Sequence, residues 1–201
     1  MEKILSASAS KEMYQIVSKL NQLFSEIHTA FMKNRLSLKY RQALEKLGKQ
    51  ISMGLVEFSE SARQMDKNEA LTVHATAVNL SKIFYDLLRL ATQVEKKINS
   101  RTRFTNAAIK EMNDILCRTV SVLPHVADGL RTCNPVILAH VHKEVDTLRR
   151  DSANSINFHE DRLCEGKCHP RACIVYMQML QHLQNILWHY KAMICRNNFP
   201  T

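Results

Sequence analysis

HEDRLCEGKCHPRACIVYMQMLQHLQNILWHYKAMI, residues 159–194, decides the fold of this chain. The stretch holds a stop, a start and a long apolar stripe. Gly166 can take the left-handed backbone that closes a preceding helix. Pro170 suits the first turn of the next helix, where its missing N–H costs nothing. From there Cys173, Tyr176, Leu180, Leu183, Leu187, Tyr190 and Ile194 recur at alternating three- and four-residue steps. That is one face of an α-helix, and a face of that length needs partners from the rest of the chain.

The partners appear on reading outward. Asn134-Pro135 is a cap followed by a first-turn proline, and Leu138, Val141, Val145, Leu148, Ile156 and Leu163 then run to Gly166. Before it, Thr105 can cap a helix carrying Ile109, Met112, Leu116, Val120, Leu123, Ala127 and Leu130, with Pro124 inside it predicting a kink or local break. The cleanest stripe is Val73, Ala77, Leu80, Phe84, Leu87, Ala91, Val94 and Ile98, in the strict alternation of left-handed bundle packing. Asp66 or Asn68 can cap its start. Leu44, Leu47, Ile51, Leu55, Phe58, Ala62 and Met65 mark a helix before that, and Met13, Ile16, Leu20, Leu23, Ile27 and Ala30 mark the first. Residues 1–9 are small and polar and are expected to fray.

The reading is therefore all-α, with six long helices, and short turns make successive helices antiparallel neighbours. Three helices, a basic joint near Arg101 and three more helices suggest two three-helix bundles, over residues 10–100 and 101–201. A single elongated six-helix bundle accounts for the same pattern.

Composition supports this class. Four Gly and four Pro in 201 residues are too few for the tight turns of an all-β protein. No apolar run approaches the roughly 18 residues of a membrane span. The first residues, MEKILSASASKEMYQ, lack the apolar core of a secretory signal. Six Cys without paired short spacings read as reduced thiols, and the chain is expected to be cytoplasmic. Twenty-eight Lys+Arg against 19 Asp+Glu favour an anionic partner without choosing one.

The closing stretch resembles the signature of PhoU-like domains, in the version on the cytosolic side of bacterial sodium/phosphate cotransporters. That signature runs His-x-x-Arg-Leu-x-x-Gly-x-Cys and continues into a helix ending Leu-Glu-Arg-Ile-x-Asp-His. His159, Arg162, Leu163, Gly166, Cys168 and His189 match it. YDLLRLATQVEKKI, residues 85–98, is similar to the family's first copy of the motif, with Asp86, Leu87 and Arg89 in place. RTRFTNAAIKEMNDI fits the joint between bundles, and Glu144 with Asp146 and Leu148 matches a recurring acidic-then-apolar pattern. The resemblance spans residues 35 to 195. It implies two three-helix bundles and a role in regulating phosphate uptake. The expected partner is a membrane phosphate transporter or its signalling partner, met at the inner face of the membrane or within one transporter chain.

The departures are informative. The family's Glu-x-x-x-Asp pairs help to hold multinuclear metal clusters, since carboxylates four apart share a helix face. Here the first pair reads Leu88 and Thr92, and the second reads Gln184 and Trp188. Those clusters are expected to be lost, leaving a scaffold that binds a partner by its helix faces, with no cofactor.

Two other readings stand beside this one. His159, Cys164, Cys168 and His169 are soft ligands close in sequence, so a helical bundle holding zinc or iron with Cys and His is an alternative. A structural oligomerisation module, such as a homodimer joined through Trp188, is another. Lys96, Lys97, Arg101, Arg103 and Lys110 form a basic run that could meet an anionic membrane surface or an acidic partner. Nucleic acid is not expected, because the chain shows no helix-turn-helix, no zinc finger and no aromatic stacking surface. Nor is catalysis: there is no nucleophile–base pair at meaningful spacing, no phosphate-cradling glycine loop and no paired catalytic carboxylates. Glu144 and Asp146, two residues apart, point in different directions on a helix.

Overall fold

The computed structural model describes residues 5–195. Within them the chain forms α1 (Ala7–Lys33), α2 (Tyr40–Ser61, with a 3-10 turn over Ala62–Gln64), α3 (Lys67–Asn99), α4 (Asn106–Thr132), α5 (Pro135–Cys164) and α6 (Pro170–Cys195). The described residues contain no strand.

The caps lie where the sequence put them. Asp66 accepts from the N–H groups of Asn68 and Glu69, Thr105 from Ala108, and Asn134 from Val136. Gly166 sits at φ +68°, the left-handed turn after α5. α1 and α4 have the same length, 27 residues, and the same hardware. Each begins with a side-chain hydroxyl (Ser6, Thr105) bonded to the third N–H of its helix. Each ends on a non-glycine residue in the left-handed conformation, Asn34 and Cys133, both at φ 48°.

Three features differ from the sequence expectation. Residues 5–9 are built into the molecule: Leu5 and Ala9 are buried, Ser6 caps α1, and the Ser6 N–H donates to Glu69 at 2.6 Å. Residues 1–4 of the expected frayed segment lie outside the described residues. α4 continues through Pro124 without the local break that the sequence allowed, and Leu123, Val126 and Ala127 beside it are all fully buried. α5 turns a partly polar face inward. Its buried positions after Leu148 are Ser152, Ser155 and His159, while Ile156 and Leu163 are only half-buried.

Side-chain pairs fix the directions of the helices. Ser6–Glu69 at one end and Lys97–Asn34 at the other make α1 and α3 parallel. Tyr14–Asp128 and His28–Asn113 make α1 and α4 antiparallel. Asp86–His182 and Asn79–His189 do the same for α3 and α6, and His142–Cys195 with Asp146–Lys191 for α5 and α6. α3 and α6 share the most extensive helix–helix contact, and α1 also lies against α4. One apolar cluster draws on all six helices, from Met13 and Phe24 through Ile51, Phe58 and Leu80 to Leu116, Val141 and Leu187. Burying each such side chain contributes about 1.5–3 kcal/mol relative to exposure. No helix among the described residues is long and apolar enough to cross a membrane.

Candidate functional site

The signature residues at the α5–α6 turn form a network at one end of the molecule. Arg162 grips Glu111 of α4 with two parallel hydrogen bonds, both 2.8 Å. The Tyr176 hydroxyl of α6 donates to the same carboxylate at 2.9 Å. His159 is fully buried and stacks on Tyr176, with ring centroids 4.2 Å apart and 15° between planes. Its Nδ1 accepts from Arg162 at 3.3 Å, which leaves Nε2 to carry the proton, 3.9 Å from the Cys168 Sγ. Burial and the neighbouring Arg162 charge hold the His159 imidazole below its ordinary value of 6.5. For Glu111, burial pushes the pKa up, but the bonds from Arg162 and Tyr176 prevail, and it lies below the ordinary 4.5.

The network continues through aromatic rings. Tyr176 meets Phe104 edge-on at 5.5 Å, and Phe104 packs on Phe31 at 6.2 Å. Between these last two rings sits the Lys97 ammonium, 5.3 and 5.2 Å from their centroids and 2.5 Å from Asn34 Oδ1. Lys97 is buried, and that burial lowers its pKa. It therefore stands apart from the rest of the basic run. Lys96, Arg101, Arg103 and Lys110 are exposed around the α3–α4 joint, and Lys97 pins that joint from within.

The four soft ligands do not converge. His159 and Cys168 approach each other, but Cys164 is exposed, and His169 uses Nδ1 to accept from the Arg171 N–H at the start of α6. Among the described residues, no group of three or more His, Cys, Asp or Glu side chains is arranged to hold a metal ion.

Remaining signature positions are spread along the helices. Glu144 accepts from Arg118, which also binds Asp114 and Asp151. Asp146 pairs with Lys191 at 2.7 Å, and Arg89 is exposed. Asp86 is buried, accepting from Asn185 at 3.2 Å and lying 3.0 Å from the Nδ1 of His182. His189 lies 2.9 Å from Asn79 Oδ1, and burial lowers its pKa. Both histidines face α3. Asp86 and His182 stand 96 residues apart, the same offset that relates Leu88 to Gln184 and Thr92 to Trp188.

Three of those four positions, Leu88, Gln184 and Trp188, line two grooves. Leu88 lines the α2–α3 groove with Leu44, Gly48, Met53, Phe84 and Tyr85, around about 680 Å³ of mostly apolar space. Gln184 and Trp188 line the α5–α6 groove with Arg149, Arg150, Gln181 and Asn185, around about 440 Å³. Tyr85 and Gln181 hold corresponding places at the same offset. Thr92 is exposed and bonds back to the Leu88 carbonyl at 3.0 Å. Glu111 and Tyr176 had no signal of their own in the sequence, beyond the place of Tyr176 on the apolar stripe.

No family model, no curated protein and no solved structure matches the chain.

Proposed function

We propose that this chain is a non-catalytic, PhoU-like regulator of phosphate uptake. It comprises two three-helix units, α1–α3 and α4–α6, related by an approximate two-fold axis. It acts by docking outer helix faces on a membrane transporter or its signalling partner. The observation that carries the reading is the pair of outward grooves at Leu88 and Gln184. They occur once per unit at corresponding positions, and where the family has paired carboxylates they present Leu88, Gln184 and Trp188. The matched lengths and caps of α1 and α4 support the duplication, as does the meeting of Asp86 with its counterpart His182. Equivalent positions of two copies meet where a two-fold axis passes.

The test is radiolabelled phosphate uptake in the source organism. Deleting the gene is expected to change how uptake depends on external phosphate, and the wild-type gene to restore it. A Tyr85→Glu/Leu88→Glu variant, whose substitutions fall on the α2–α3 groove, is expected to fold but not to restore. Uptake that is indifferent to deletion across limiting and replete phosphate sinks the reading.

A further inference from the structure

The two grooves differ in chemistry. The α2–α3 groove is mostly apolar, with Glu45 and Lys49 of opposite charge in its lining, whereas the α5–α6 groove carries Arg149 and Arg150 beside Trp188 and no acidic residue. Both arginines are exposed, and neither makes an ion pair among the described residues. The carboxylates around them are already engaged. Arg118 binds Glu144 at 2.9 Å and Asp151 at 2.8 Å, and Lys191 binds Asp146 at 2.7 Å. Arg149 feels the Asp146 charge at a distance, but neither guanidinium is bonded to a carboxylate, and both stand beside a half-exposed indole. Trp188, the only tryptophan, is 55% exposed, and Ile174, two heptads earlier on the same helix, is 54% exposed. With Gln181 midway between them, they form a ridge along α6 with the spacing of a helix-docking seam.

We propose that the α5–α6 groove docks an acidic amphipathic helix of a partner protein. Arg149 and Arg150 meet its carboxylates, and Trp188 with Ile174 receives its apolar side chains. Trp and Arg are the residue types that dominate binding energy at protein interfaces. The groove is a trough between two long helices, the shape that accepts a row of helical side chains. The net charge of +9 steers an acidic partner from a distance. A second copy of this chain is disfavoured, because a two-fold contact would set both arginine pairs against each other. A small phosphate anion would satisfy the arginines and leave the ridge of Trp188 and Ile174 bare. This proposal does not rest on the phosphate-uptake reading.

The experiment replaces Gln184 with the photo-crosslinker benzoylphenylalanine in the full chain, in cells of the source organism. A discrete protein adduct is expected, with the linkage mapping to an acidic helical segment. Arg149→Glu/Arg150→Glu is expected to lower its yield about tenfold, and Arg149→Lys/Arg150→Lys to retain part of it. Circular dichroism checks that each variant folds, and Trp188→Ala, also an exposed site, provides an independent second variant expected to lower the yield. The proposal is overturned by an adduct with another copy of this chain, by lipid adducts alone, by no adduct, or by a yield indifferent to charge reversal. An acidic-helix adduct with unchanged phosphate uptake upholds this inference and defeats the preceding one. Altered uptake without the adduct does the reverse.

Discussion

Arg162 ties α5 to α4 at the α4–α5–α6 end. Its bidentate grip on Glu111 is largely shielded from water, at 14% and 24% side-chain exposure. Replacing Arg162 with Met keeps most of its volume but leaves a half-buried carboxylate with only the Tyr176 hydroxyl. The expected cost is about 2–3 kcal/mol, measured by urea unfolding, with Glu111→Gln in the Arg162→Met background recovering part of it. Acid acts on this cluster and on His189 of the α3–α6 contact. His159 and His189 are neutral in the fold and below their ordinary value of 6.5, so the unfolded chain takes up protons first. Their contribution is full above 6.5 and declines as pH falls below it. Glu111 is also lowered, so its contribution is full above 4.5 and is lost as pH falls through its depressed value. Thermal melts should therefore show stability falling in two stages as pH drops. His159→Phe, which can keep the stack on Tyr176, should flatten the upper stage, and Glu111→Gln the lower. Unchanged melting profiles in both variants would show that these groups do not control the acid limb.

At the scale of elements, the α3–α6 contact carries a polar strip of Asn79, Asp86, His182, Asn185 and His189. Asp86 accepts from one neighbour and lies against another, so Asp86→Ala strands both at once. The expected cost is about 2 kcal/mol, with a coupling to His182 of about 1 kcal/mol in a double-mutant cycle. Additive single mutants would show that the pair is geometric only. Gly129 lies where α4 passes α5, and a Cβ there would come within 3.0 Å of Leu138 Cδ2. This strip and this close approach explain what the sequence could and could not convey. Helix number, stripes and caps were legible because they depend on local periodicity and on residues such as Asp66, Thr105, Asn134 and Gly166. Polar partnerships between helices were not, because a buried Asp86 and an exposed one look alike until α6 is laid beside them. The α5 stripe was misread past Leu148 for a related reason. Ser152, Ser155 and His159 keep the helical spacing, but polarity hid them from a search for apolar residues.

For the whole molecule, the question is whether the two halves are separate folding units. Charge and joint composition near Arg101 invite a division there, yet the packing joins the halves. α3 gives its largest contact to α6, α1 lies against α4, and one core draws on all six helices. Lys97 is wedged between Phe31 of α1 and Phe104 of the α3–α4 link, so even the joint is tied back to the first helix. Cutting the chain at residue 100 would bare the inner faces of α3 and α6, including Leu80, Leu87, Leu183 and Leu187, all fully buried in the intact molecule. Exposing faces of that size favours aggregation over independent folding. The intact protein is therefore expected to unfold in one calorimetric transition, with calorimetric and van't Hoff enthalpies equal. Residues 1–100 and 101–201 expressed apart should lack cooperative unfolding, and together they should regain it. Two resolved transitions, or a sharp melt from either half alone, would mean that each three-helix unit carries its own stability and that the α3–α6 contact is a docking surface between finished domains.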